Sequence, residues 1–441
     1  MKFILLGVTL ALGLLSGCST MPTPTLETAK QAAPVLSPVQ EAAVTNARVA
    51  TIALPNDLWE RIRKGYKMPN LETDLVTDRT QWYASKPDYL QRMGERSGRY
   101  LYYIVEEIER RNMPMELALL PFIESAFNPQ AVSSARASGM WQFMPATGKS
   151  FDLKQNAFRD DRRDVQASTR AALDYLERLN KQFGDWHLAL AAYNWGEGNV
   201  GKAIARNQRA GLPTKYTDLN MPMETRMYVP KLQAMKNIVG NPPQYGVVLT
   251  SIPNHPYFQS VPLPRDMDVS VIAKLAEVSV EDFKALNPSA SRPVLLAAGT
   301  PSILLPWDNA EVFQRNYEST TITRMASWTA WIAPANMKVA EAAKRVHMSE
   351  ADFRAINNIP PRMQIKAGSA LLVPRTSNIV EDVTARVADN GQLGLSPEAA
   401  AKRKGAKGGK GKTVIKYGVK ADTKQAGKNK KSKADVRVAK K

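Results

Sequence analysis

The chain has 441 residues, enough for roughly two or three domains, and 44% of them are hydrophobic, as in a soluble globular protein. No interior run approaches the ~20 apolar residues of a membrane span, which excludes a polytopic membrane protein. The net charge of +19 is uneven: sixteen Lys and Arg against two Asp fall between Ala401 and Lys441, which carry +14, and the rest of the chain carries +5.

Met1-Lys2 followed by the apolar run Phe3 to Leu15 reads as a targeting segment, residues 1–17. Leu15-Ser16-Gly17-Cys18 resembles a bacterial lipoprotein box, which would place lipid on Cys18 and anchor the mature chain to a membrane. An ordinary signal peptide with an incidental cysteine is the alternative. Ser19 follows, with no aspartate to signal inner-membrane retention, so the expected location is the periplasmic face of the outer membrane. Residues 18–54, rich in Pro, Ala and Thr, read as a flexible tether.

Residues 55–98 hold Trp59, Tyr66, Trp82, Tyr83 and Tyr89 among charges and read as helical lead-in. Leu101, Ile104, Val105 and Ile108 follow i, i+3, i+4, i+7 and predict an amphipathic helix over 99–112. A short helix opened by Pro114 comes next, with Leu117, Leu120 and Glu124 on one face and Pro121 kinking or shortening it. A carboxylate ending an apolar stripe is penalised in its charged form and keeps a proton to donate near neutrality. An ion-paired or helix-end glutamate fits the same spacing. Pro129, Gly139, Pro145 and Gly148 then break regular structure. Asp164 caps a helix burying Ala172, Leu176, Leu179 and Phe183, and Gly184 ends it. Trp186 to Tyr193 predicts another helix running into a Gly-x-Gly turn, and residues 222–239 a last long one. The segment 55–245 is therefore expected to be nearly all-α.

Residues 124–148, ESAFNPQAVSSARASGMWQFMPATG, resemble the signature of the soluble-lytic-transglycosylase family, which has a goose-type-lysozyme-like fold. AAYNWGEGNV (191–200) and ETRMYVPKLQA (224–234) match two further motifs of that family in the right order. Arg136 departs from the pattern, where many relatives have glycine. The resemblance implies a peptidoglycan-cleaving enzyme that uses Glu124 alone, first as acid and then as base. Glu124 would protonate the oxygen between N-acetylmuramic acid and N-acetylglucosamine, and the sugar's own 6-hydroxyl would close a 1,6-anhydro ring without water. It also implies a substrate cleft formed by Ser133, Gln142, Met144, Tyr193, Asn194 and Glu224. Tyr193 would hydrogen-bond near Glu124 or the N-acetyl group, and Glu224 would meet the cationic end of a peptide stem. From the residues alone, Tyr193 and Met144 also suit a core, Asn194 a turn and Ser133 a cap. Asp160, Asp161 and Asp164 sit in a charged, helix-starting run that favours a solvated turn, so no second catalytic carboxylate is marked. His187, His255 and His347 do not cluster and Cys18 is the only cysteine, so neither a metal nor another cofactor is expected. A muramidase that uses water, and a non-catalytic peptidoglycan-binding lipoprotein, are the competing readings.

From 246 the composition changes. Pro253, Pro256, Pro262 and Pro264 mark a linker. Segments 269–306 and 337–374 then repeat one order: an apolar helix, a Phe, a Leu-Asn or Ile-Asn, and a Gly leading to an apolar strand ending in Pro. This resembles the LysM glycan-binding module, although the usual Gly-Asp-Thr-Leu before the first helix is missing from both copies; modules retained for structure alone are the alternative to glycan binding. The expected architecture is a lysozyme-like domain followed by two small α+β (βααβ) modules, one over 246–306 with its linker and one over 328–375, then a disordered basic tail from 376 to 441. The tail, with Tyr417 its one aromatic, has no interleaved aromatics that suit base stacking, and a secreted chain does not meet the genome, so nucleic acid is not expected. Anionic envelope polymers are the expected partners, and a solvated tail without a specific partner is the alternative.

Overall fold

The computed structural model describes residues 57–377, 379 and 381–398. Cys18, the targeting segment, the tether and the basic run from 401 lie outside the described residues. The described residues cluster as one compact unit.

The first part of this unit is helical. α1 (Leu58–Lys64) is capped by Asp57 and α2 (Asp74–Ala84) by Thr73. α3 (Pro87–Ser97) begins on a proline. α4 (Leu101–Arg110) follows the predicted amphipathic pattern, and Leu101, Ile104, Val105 and Ile108 are wholly buried. The helix expected from Pro114 is two pieces, a 3-10 turn Met115–Leu119 and α5 (Leu120–Ser125). Pro121 has no N–H to give to a preceding turn, so it sits in the first turn of α5. α6 (Pro145–Ser150) follows the signature loop, and α7 (Val165–Phe183) is capped by Asp164, whose carboxylate accepts from Ala167 N at 2.8 Å. α8 (Trp186–Trp195) is separated from α9 (Glu197–Arg209) by Gly196 alone, at φ 91°. The expected Gly-x-Gly turn is thus a one-residue break, and α9 is a helix that its glycines and polar residues concealed. The last long helix is also divided, into α10 (Met223–Arg226) and α11 (Tyr228–Gly240).

α11 lies at the centre and packs on α2, α8, α5 and the 3-10 turn. Beneath it Glu116, 1% exposed, accepts from Lys67 N, Met68 N and Lys236 Nζ at 3.1, 2.9 and 2.8 Å. Residues 246–257 are not a free linker. Leu58 N donates to Ile252 O at 2.9 Å, Trp59 Nε1 to Thr250 O at 2.8 Å, and Val247 and Ile252 are buried on the helices.

The two repeats fold alike. In the first, β1 (Phe258–Pro262) and β2 (Met267–Asp268) precede α12 (Val269–Leu275) and α13 (Val280–Leu286), and β3 (Val294–Leu295) and β4 (Ser302–Pro306) follow. β1 pairs antiparallel with β4 and β2 with β3. α14 (Trp307–Ser319) then continues past the expected end at 306, burying Ala310 and Phe313 in the module's own core. In the second, β5 (Trp328–Ile332), α15 (Val339–Arg345), α16 (Glu350–Asn357), β6 (Met363–Ile365) and β7 (Ala370–Pro374) follow the same course, with β5 antiparallel to β7. The repeated Asn has a physical reason. Asn287 donates to Leu304 O (2.7 Å) and accepts from Leu304 N (2.8 Å), and Asn357 does the same with Leu372 at 3.0 and 2.7 Å. Each ties a helix end to the strand behind it.

The modules are packed against the helical part. Tyr100 Oη donates to Ala285 O at 2.8 Å, Arg99 pairs with Asp282 at 2.9 Å, and Phe258, Leu286 and Leu304 share the core of the helical part. The expected disordered tail from 376 is also corrected. α17 (Ala385–Asn390) buries Ala388, and β8 (Leu395–Pro397) pairs with β6. Val383, Ala388 and Leu395 supply the apolar spacing that the bulk composition of 376–441 hid.

Glu116→Ala would leave Lys236 without its counter-charge, with only Met68 O to accept from it, and two backbone N–H groups unpaired in the interior. We expect a loss of about 3–5 kcal/mol, read as a lowered urea midpoint at unchanged slope.

Candidate active site

Glu124 is the penultimate residue of α5, whose apolar face is buried through Leu120, Pro121 and Phe122. The chain then turns through Ala126 and Phe127, both left-handed at φ 51° and 55°. Glu124 itself is only part-buried and opens onto a cleft of about 550 Å³. On the far wall Tyr228, at the start of α11, donates its hydroxyl to Glu124 Oε1 at 2.5 Å.

The electrostatics follow from this setting. Burial pushes Glu124 up from 4.5 to about 7, and the charge of Glu224 acts in the same direction. The Tyr228 hydrogen bond and the Lys231 ammonium act the other way by favouring the ionised form. The hydroxyls of Tyr193 and Tyr228 are pushed well above 10, chiefly by burial and then by Glu124, so both stay neutral donors. The result is a carboxyl close to half-protonated at neutral pH, with groups in place for either state.

The cleft also gathers Ser133, Gln142, Met144, Tyr193, Asn194 and Glu224, all anticipated from the sequence. Ser133 Oγ accepts from Ala137 N at 3.0 Å, closing the turn below it. Gln142 (φ 49°) donates to Gly139 O at 2.8 Å, and Met144 is 44% exposed. Asn194 accepts from Thr225 Oγ1 at 2.8 Å, which joins the second motif to the third. Glu224 is exposed at the rim. Tyr193 differs from one expected role: its hydroxyl donates to Trp141 O at 2.8 Å rather than to Glu124. Tyr228 and Lys231 were missed, although both stand in the ETRMYVPKLQA block. An oxygen-bearing aromatic one turn after Glu224 was the available signal. Asp161 and Asp164 line a separate cavity of about 220 Å³ beside Ser289 and Thr300, away from Glu124.

Comparison with known proteins agrees with this geometry. Residues 102–212 match the Transglycosylase SLT domain, and residues 257–322 match the LysM-like domain of lytic transglycosylase MltD. That second match falls on the first repeat and includes α14. The membrane-bound lytic murein transglycosylase D of Escherichia coli (strain K12) is 36% identical over 371 residues, 80% of this chain and 81% of that protein. A putative tributyltin chloride resistance protein of Alteromonas sp. (strain M-1) is 52% identical over 115 residues, 26% of this chain and 56% of its own length. A membrane-bound lytic murein transglycosylase F of Yersinia pestis (strain Pestoides F) is 33% identical over 115 residues, 24% of this chain and 22% of its own.

Tyr228→Phe removes the hydrogen bond that favours the Glu124 carboxylate. The carboxyl should then titrate higher, by up to about one pH unit for a bond of ~1.4 kcal/mol. Carbon-13 NMR of labelled glutamate across pH 5–9, with Glu124→Gln to assign the signal, measures it.

Proposed function

The chain belongs to the membrane-bound lytic murein transglycosylase D family, a lytic transglycosylase of peptidoglycan, and on that premise we propose that Glu124 is its single acid and base. Protonated Glu124 donates to the oxygen bridging N-acetylmuramic acid and N-acetylglucosamine, and the anomeric C–O bond breaks. The muramoyl N-acetyl group supports the positive centre. The Glu124 carboxylate, held by Tyr228 and Lys231, takes the proton of the sugar's 6-hydroxyl as that oxygen bonds to the anomeric carbon. Glu124 ends protonated, one glycosidic bond has been exchanged for one internal ring bond, and no water is consumed. The observation that carries this reading is one carboxyl raised to about 7 and facing a neutral tyrosine hydroxyl in a cleft. A pKa near the working pH serves both proton transfers.

The remaining cleft residues divide the substrate between them. Ser133, Gln142 and Asn194 offer polar contacts to the acetamido groups and hydroxyls, Tyr193 and Met144 form walls, and Glu224 meets the ammonium end of a peptide stem. The two repeats hold glycan strands outside the cleft. The chain is anchored through lipid on Cys18 at the periplasmic face of the outer membrane, with residues 18–54 as tether. The lipoprotein-like box supports this, and among the described residues no helix is long and apolar enough to cross a membrane. The basic run from Ala401 to Lys441 contacts anionic envelope polymers, a reading supported by its charge alone.

Mass spectrometry of digested peptidoglycan tests the reaction. Anhydromuramoyl products are expected, and Glu124→Gln should lower turnover at least about 100-fold. The proton donor is lost as pH rises, so kcat/KM should fall tenfold per pH unit above about 7. Products heavier by one water would instead make the enzyme a hydrolase. For the anchor, Cys18→Ala should move the protein from the membrane to the soluble fraction of lysed cells, and unchanged membrane retention would refute lipidation at that residue.

A further inference from the structure

The cleft rim is a loop that its own backbone does not favour. Ser133, Ala135, Ala137, Gln142 and Phe143 line the cleft from it, yet Arg136 and Gln142 are left-handed at φ 67° and 49°. Such a loop keeps its shape only when its surroundings impose it.

Arg162 imposes it. Its guanidinium donates to Arg136 O at 2.8 Å and Phe143 O at 3.2 Å, one near each end of the rim. Both oxygens of Asp160 hold that guanidinium, at 2.9 and 2.7 Å. The carbonyl of Arg162 lies 1.9 Å from where a Cβ on residue 139 would be, so only Gly139 lets the two segments approach. Arg163 adds Ser138 Oγ at 3.0 Å and Gln130 Oε1 at 3.1 Å.

Four residues earlier, the same segment is embedded in the C-terminal part of the molecule. Phe158, 7% exposed, packs with Val294 and Leu296 of the first repeat, Ala370 and Leu372 of the second, and Ala388 of α17. Asn156 donates to Ala388 O and Asp389 O at 2.9 and 3.0 Å, Arg159 pairs with Asp389 at 2.9 Å, and Arg292 donates to Ala157 O at 2.8 Å. Residues 156–163 are thus gripped by both repeats at one end and grip the cleft rim at the other.

We propose that Phe158 and Arg162 are positioning residues for glycan cleavage, through which the docked repeats set the geometry of the rim bearing Ser133 and Gln142. This rests on the reading of the Glu124 cleft as the cleavage site. Neither residue touches substrate; both act through the loop. The repeats are then part of the catalytic framework as well as a means of holding glycan. A shift of the rim by about 1 Å is enough to cost on the order of 100-fold in rate.

The test uses the full chain and soluble, uncrosslinked glycan strands, at a temperature where circular dichroism shows each variant folded. Phe158→Ala and Arg162→Gln should each lower kcat about 10- to 100-fold. The alkaline limb of the pH profile should stay in place, because the Glu124–Tyr228 pair is untouched. Phe158→Leu, which refills the site, should recover kcat to within about threefold of the parent. Folded Phe158→Ala with parental kcat overturns the proposal, whatever its unfolding midpoint. If Phe158→Ala does not fold, Asp389→Lys, at the solvent edge of the same contact, decides by the same criterion. Glu124→Gln run alongside separates the two failures. Full activity there removes the reading of the cleft, and an inactive Glu124→Gln beside a fully active Phe158→Ala removes only the coupling.

Discussion

A carboxyl group that must give up a proton and take one back needs surroundings that tolerate both of its states. Burial alone satisfies half of that demand, because it penalises the carboxylate and raises Glu124 to about 7. The other half comes from α11, which presents the Tyr228 hydroxyl and, three residues on, the Lys231 ammonium. The same helix carries Lys236 down to the buried Glu116 and packs on α2, α8 and α5. The depth at which α11 sits is therefore fixed by core packing and one interior ion pair, and the tyrosine follows. A displaced α11 would leave Glu124 with desolvation and no partner for its charge.

What could be read from the residues alone, and what could not, divides along the range of the interactions. Local patterns were legible. α4 has its stripe, α7 its Asp164 cap, and the repeats have their order of helix, Asn and strand. Motif resemblance brought together seven residues that do share one cleft, from Glu124 to Glu224, although 100 positions separate those two. The Tyr228–Glu124 contact was not legible, because no local rule says that the one aromatic of a helical block faces a carboxylate 104 residues earlier. Tyr193 was the residue expected there, and its hydroxyl is committed to Trp141 O. Composition misled at the C-terminal end. The basic stretch from Ala401 coloured the reading of everything after 376, while α17 and β8 depend on a few apolar residues that find partners only in the folded second repeat.

The repeats show how a weak sequence likeness can conceal a firm structural one. Neither copy has a usual opening motif, yet both close a helix onto a strand with the same two-bond Asn device, and both bury a Phe completely, Phe283 and Phe353. A side-chain amide that satisfies a strand N–H and C=O together does the work of a neighbouring strand. It explains why Asn recurs where its neighbours vary. In the second module the strand so tied, β7, is also the one that Phe158 meets, at Ala370 and Leu372, whereas in the first module Phe158 meets Val294 and Leu296, on and just past β3.

The same logic accounts for the alternation inside the catalytic signature. Ala126, Phe127, Arg136 and Gln142 are all left-handed, and at about 1–3 kcal/mol each they cost a large share of the 5–15 kcal/mol by which a typical domain is stable. The apolar members of the signature oppose that cost from beneath. Phe127 is wholly buried with its ring 4.5 Å from that of Phe122. Trp141 is wholly buried, its indole N–H donating to Thr169 Oγ1 of α7 at 3.0 Å and its carbonyl accepting from Tyr193 of α8. Met140 is buried between them in sequence, and its carbonyl accepts from Ser125 at 3.0 Å, next to Glu124. The polar members, Ser133 and Gln142, are left facing the cleft. Large side chains thus hold the loop down at or beside three of the strained positions, Phe127 with its neighbour Ala126 and Trp141 next to Gln142, while the exposed Arg136 is held through its carbonyl by Arg162.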